Sequence, residues 1–170
     1  TDGLPALSLA SERAEADIMH RPPRKKSESL FSEGVAYHIL WVGLLMAGVT
    51  LGTQAWSLIY HSTHWQTMVF TVLSLSQLGH VLAVRSERTF LYKQGLFSNL
   101  PLITVVGCTF LLQMGVIYVP QLNVLFKTQA LELKELLFCI LMSLVVFHAV
   151  ELEKWVKLKI AKKQAKGKKH

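Results

Sequence analysis

The sequence predicts an all-α, multi-pass membrane protein, a bundle of four transmembrane helices, and three observations carry that expectation. Of its 170 residues, 51% are hydrophobic and only 17% charged, against roughly 25% charged residues in soluble domains. The charge is also unevenly spread. Residues 34–84, 94–126 and 136–150 contain no Asp, Glu, Lys or Arg, and apolar runs of about 18 or more residues without charge read as membrane spans. Finally, sixteen of the eighteen basic residues fall in segments that four crossings put on one side. In lipid every backbone polar group must be satisfied within the span, so each crossing is helical.

The first charge-free run far exceeds the ~20 residues one crossing needs, so it holds two helices. The polar stretch His61-Ser62-Thr63-His64, flanked by Tyr60 and Trp65, is the break, since aromatic residues suit a membrane–water interface. Span one is then 35–60 and span two 65–84. Span three is 97–118, closed by Pro120, and span four is 133–155. The charge-free centre of span four is short, and Lys134 and Lys154 extend it by carrying their ammonium groups outward.

Basic residues orient the bundle. Arg13, Arg21, Arg24, Lys25 and Lys26 precede span one, and Arg85, Arg88 and Lys93 join spans two and three. Lys154, Lys157, Lys159, Lys162, Lys163, Lys166, Lys168 and Lys169 follow span four, while only Lys127 and Lys134 lie opposite. By the positive-inside rule, loop 8–34, loop 85–96 and the C-terminal tail are cytoplasmic. The net charge of +7 is therefore a topology signal and not the footprint of a nucleic-acid partner. Residues 8–34 form a polar connection, extended at Pro22-Pro23. Residues 35–159 form the four-helix domain, and residues 160–170 form a mobile Lys-rich tail suited to anionic lipid. Cys108 and Cys139 sit inside apolar runs with no disulfide or zinc spacing and read as small core residues.

Few residues carry chemistry. In span one, Gly43, Gly48 and Gly52 mark a small-residue face that admits a closely packed partner helix, in this chain or outside it. In span two, Thr67, Thr71 and Ser74 form one stripe, continued by Gln77 and His80 at intervals of three. A glutamine near mid-bilayer must be paired or face a polar cavity. Gln77 is thus either an oxygen ligand on an ion path or an interhelical hydrogen-bond partner. His80 reads as structural, near the cytoplasmic interface. There is no phosphate-binding loop, no metalloprotease histidine pair, no nucleophile elbow and no Asp-Lys-Thr-Gly sequence. No catalytic residue is assigned, and the chain by itself is not expected to hydrolyse ATP.

Thr1-Asp2-Gly3-Leu4-Pro5-Ala6, followed by Asp17-Ile18-Met19-His20-Arg21-Pro22-Pro23-Arg24, resembles the end of the sixth membrane helix and the following loop of type II P-type cation-transporting ATPases, the calcium-pump type in particular. The likeness continues through Thr50-Leu51-Gly52 and Trp56, Thr67-Met68, Val119-Pro120 and Phe126-Lys127, and covers essentially the whole chain. It implies that residues 1–7 end a preceding transmembrane helix and that spans one to four are the family's helices seven to ten. It also implies a plasma-membrane or inner-membrane pump that moves calcium, with ATP and magnesium used elsewhere in the parent protein and the parent's remaining domains and helices as partners. Thr1 and Asp2 match the family's ion-ligand pair, which suits the hard oxygen ligands calcium requires, and Pro5 frees a nearby backbone carbonyl. Gln77 stands where two-calcium reticulum pumps carry a glutamate. It keeps the oxygen and loses the charge, which implies one calcium per cycle. Two alternatives are a pump for sodium, potassium, protons or manganese, and a free-standing four-helix membrane scaffold without catalysis. A chain that opens inside a transport helix is expected to be part of a longer reading frame, which disfavours the scaffold.

Overall fold

The computed structural model describes residues 3–12, 19, 34–86, 90, 91 and 95–167. Among them are six α-helices and no strand: α1 (Gly3–Leu9), α2 (Val35–Ile59), α3 (Trp65–Ala83), α4 (Leu100–Tyr118), α5 (Pro120–Phe126) and α6 (Leu133–Gly167), with a 3-10 turn at Leu96–Ser98 before α4. The all-α expectation holds. Three segments are long and apolar enough to cross a membrane: Val35–Ile59, Leu100–Tyr118 and Leu133–Ile160. Helix α3 equals α4 in length at 19 residues but is not among them, because Thr67, Thr71, Ser74, Ser76, Gln77 and His80 dilute its apolar character.

Those polar residues explain where α3 sits. It packs against α2, α4 and α6, and Thr67, Thr71, Ser74 and Ser76 are buried along with Met68 and Val72. Val42 and Val49 of α2, Ile117 of α4, and Cys139, Val146 and Val150 of α6 close around them. The outward faces are apolar, with Leu44, Leu51, Leu111, Leu112, Leu137 and Leu141 exposed. Polar groups inside and leucines outside is the arrangement of a bundle in lipid, where interhelical hydrogen bonds and close packing replace the hydrophobic drive. The interior bonds are specific. Gln113 Nε2 donates to Thr71 Oγ1 at 3.5 Å, the Gln129 amide to Thr67 Oγ1 at 2.9 Å, and Ser143 Oγ to the Val72 carbonyl at 3.3 Å.

Helix boundaries follow local chemistry. α2 ends at a turn in which His61 has φ 54°, within the break expected between spans one and two. Asn99 Oδ1 accepts from the Leu102 amide at 3.0 Å and caps α4, so that helix starts at Leu100 and not at 97. Val119 is extended (φ −89°, ψ 117°), as the residue before a proline tends to be. Pro120 then opens α5, where its missing N–H costs nothing, and Lys127 ends it at φ 55°. α6 does not stop near 155. Its basic extension contains no Gly or Pro before Gly167 and is built of good helix formers, so the expected tail begins inside a helix. Cys139 is buried, Cys108 is exposed, and both are free.

Two polar clasps, each built on a glutamate of α6, tie α6 to α2 and α3 at opposite ends of the bundle. Glu135 accepts from Ser62 Oγ at 2.7 Å and from His64 Nδ1 at 2.9 Å. Glu153 accepts from Trp41 Nε1 and His38 Nδ1, both at 2.7 Å, and pairs with Lys157 Nζ at 2.6 Å. His38 Nδ1 donates to Glu153, and on the other edge of its ring His38 Nε2 lies 3.4 Å from His80 Nε2.

Candidate functional site

The site is assembled where α1 meets the bundle. Gly3–Leu9 is a short helix that packs on α4 and reaches α3. Pro5 is fully buried in the first turn, where no intrahelical bond is lost. Thr1 and Asp2 lie outside the described residues, as do residues 13–18, 20–33 and 168–170.

The C-terminal end of α1 is held by a network that the sequence reading did not anticipate. Glu12 accepts from Arg85 Nε at 3.0 Å through one carboxylate oxygen and from Arg85 Nη2 at 3.1 Å through the other. This is the side-on, two-point geometry that a guanidinium fork provides and an ammonium cannot. Asn99 Nδ2 donates to the same Glu12 at 2.9 Å and to the Ser8 carbonyl of α1 at 3.2 Å. Arg85 continues to Ser98 Oγ at 2.6 Å and the Gly95 carbonyl at 3.4 Å. Its side chain is only 1% exposed and that of Glu12 is 12% exposed, so the pair is shielded from water. Three elements therefore converge: the exit of α1, the C-terminal end of α3 and the capped start of α4. Arg85 was legible as the first charge after a long apolar run. Glu12, 73 positions away, was not legible as its partner.

On α3, Gln77 is half-buried and Ser76, next to it, is buried with no hydrogen-bond partner for its hydroxyl. The stripe expected from Thr67, Thr71 and Ser74 is buried as one face, and Thr67 and Thr71 spend their hydroxyls on holding α4 and the approach to α6. His80 joins His38, the structural role expected of it. Among the described residues, no three His, Cys, Asp or Glu side chains gather as a metal cluster.

The small-residue face of α2 points away from the other described helices. Gly43, Gly48 and Gly52 are exposed, and a Cβ placed on any of them would meet nothing within 4 Å. None of the described helices uses that face.

Comparison with known proteins bears on both features. Residues 1–156 match the family model described as "Cation transporting ATPase, C-terminus". The chain is 37% identical to a calcium-transporting ATPase of Bacillus subtilis over 136 residues, 77% of this chain and 15% of that protein. It is 34% identical to calcium-transporting ATPase 1 of Bacillus cereus over 180 aligned positions, 96% of this chain and 20% of that protein. With the mouse calcium-transporting ATPase type 2C member 2 the figures are 30% over 160 residues, 92% and 17%. The chain thus spans a fifth or less of the length of these relatives.

Proposed function

This chain belongs to the family of cation-transporting ATPase C-termini, the C-terminal membrane region of type II P-type calcium pumps, and from that premise we propose that it supports and completes the calcium path of an ATP-driven pump. The observation that carries the reading is the seat of α1. The helix Gly3–Leu9, which follows Thr1-Asp2 in sequence, packs on α4 and touches α3, the buried polar helix that carries Gln77. Thr1 and Asp2 supply ion ligands, and Gln77 adds a neutral oxygen from the facing helix. ATP and magnesium act in the parent's other domains.

Four crossings, with α3 as the innermost, fit the two clasps. Glu135 and Glu153 lie eighteen residues apart on α6, about 27 Å at 1.5 Å per residue, close to the ~30 Å of a bilayer's hydrocarbon. His64 and His80 bind at those same two levels from either end of α3. A helix joining the two levels crosses the membrane whatever its mean hydropathy. With the basic segments inside, loops 8–34 and 85–96 and the tail lie in the cytoplasm of a plasma or inner membrane, and the tail's lysines meet anionic lipid.

The uncovered glycine face of α2 receives a preceding helix of the parent. Gly48→Leu is expected to over-pack that contact at a cost of roughly 1–3 kcal/mol and to lower the yield of monodisperse parent pump in detergent chromatography. Wild-type yield of active pump would count against the contact.

The function is tested by cation-activated ATP hydrolysis in the purified parent. Calcium is expected to activate it, sodium, potassium and manganese much less, with one calcium moved per ATP. Gln77→Ala is expected to raise the half-activating calcium about tenfold, or ~1.4 kcal/mol of lost ligand interaction. A ratio of two calcium ions per ATP would overturn the one-ion reading, and activation by another cation alone would overturn the calcium assignment.

A further inference from the structure

We infer that Arg85 is a positioning residue for the ion-site motif, acting through Glu12 and Asn99 to fix α1 against the cytoplasmic ends of α3 and α4; the calcium readout below rests on the pump reading, whereas the clasp itself does not. The geometry supplies the reasons. α1 has seven residues, too few to hold a position by helix propensity alone. Its grip on the bundle at the motif-distal end is polar: the Glu12 carboxylate with three donors, and the Ser8 carbonyl with Asn99. Asn99 Nδ2 makes both of its bonds to α1 or its exit, while its Oδ1 caps α4. The start of α4 and the end of α1 are therefore set by one amide group. Arg85 lies just past the C-cap of α3, the helix that carries Gln77 eight residues back. One guanidinium thus refers the segment following Asp2 to the helix carrying Gln77. If both residues touch the ion, their mutual register is part of its affinity, and Arg85 sets that register without approaching the ion.

Breaking a shielded, two-point ion pair removes a fixed distance as well as a contact. In the parent pump, Arg85→Gln and Glu12→Gln are each expected to raise the half-activating calcium concentration by roughly 5- to 20-fold, within the usual range of coupling between linked sites, with maximal turnover of the folded protein largely kept. Arg85→Lys keeps the charge but loses the fork, and should fall between the two. The double variant should be no worse than either single variant, because both remove the same link.

A role confined to folding would lower yield or thermal midpoint and leave the calcium concentration dependence of the surviving pump unchanged. That result would overturn the proposal, as would single effects that multiply in the double variant. A second measurement needs no calcium. Spin labels at Leu7 and Leu100, both exposed, report the separation of α1 from α4 in the intact parent. Wild type should give one narrow distance distribution, and Arg85→Gln a broad one. An unchanged narrow distribution overturns the clasp. A broadened distribution in a pump activated by some other cation upholds the clasp and shifts the failure to the calcium reading.

Discussion

Asp2→Asn in the parent pump is expected to abolish calcium accumulation, reducing uptake by about a hundredfold or more at micromolar calcium. The substitution is nearly isosteric, so it tests charge and not shape. Calcium is held by six to eight hard oxygens, and affinity follows the number of carboxylates among them. In the proposed site Gln77 is neutral and Thr1 offers a hydroxyl, so Asp2 is the ligand proposed to carry the charge. Roughly 3 kcal/mol of lost ion interaction corresponds to about a hundredfold in affinity. Asp2→Glu, which keeps the charge and moves it by one methylene, should recover part of the uptake at high calcium. Uptake by Asp2→Asn at the wild-type calcium concentration would show that the ion does not depend on this carboxylate. The substitution leaves the clasp around Glu12 intact, so loss of the fold is not the expected route to loss of transport.

Glu153→Ala is expected to lower the thermal midpoint of the purified protein by roughly 10 °C. Glu153 is 11% exposed and serves Trp41, His38 and Lys157. Its removal strands an indole N–H and an imidazole N–H between α2 and α6, and frees His38 from the geometry in which it meets His80. Each shielded donor left unsatisfied costs about 1–3 kcal/mol, and each kcal/mol lowers the midpoint by roughly 2–4 °C at this chain length. Glu153→Gln keeps an acceptor oxygen and should lose less. A midpoint within about 2 °C of wild type for Glu153→Ala would show that the helices are held by packing alone. The measurement is thermal unfolding of the purified 170-residue chain in detergent, followed by dye binding.

What the sequence made legible is what depends on runs. Residues 34–84 contain no charge, and α2 and α3 fill that run with the break where His61 turns. The ends of α3 and α4 lie within a residue of expectation at Ala83 and Tyr118, because the charge-free run ends before Arg85 and Pro120 is a strong local stop. The start of α4 was misplaced because its determinant is a side-chain cap: Asn99 reads as one more polar residue until its oxygen is seen on the Leu102 amide. The short α5 was hidden because Pro120 both ends one helix and starts the next. Long-range pairs were hidden for a different reason. Glu153 reads as the charge beyond an apolar run, and no periodicity says that it turns inward to Trp41, 112 positions earlier. The Arg85–Glu12 pair spans 73 positions in the same way. The proposed ion motif rests on the resemblance, since a Thr-Asp pair beside a Gly-Leu-Pro sequence carries no periodic or compositional signal of its own.

The most direct test of the central claim is ATP-driven calcium-45 uptake by the full-length parent in sealed vesicles. Accumulation that requires ATP, is released by a calcium ionophore and disappears with Asp2→Asn is the predicted result. Vesicles that hydrolyse ATP in response to another cation while accumulating no calcium would contradict it.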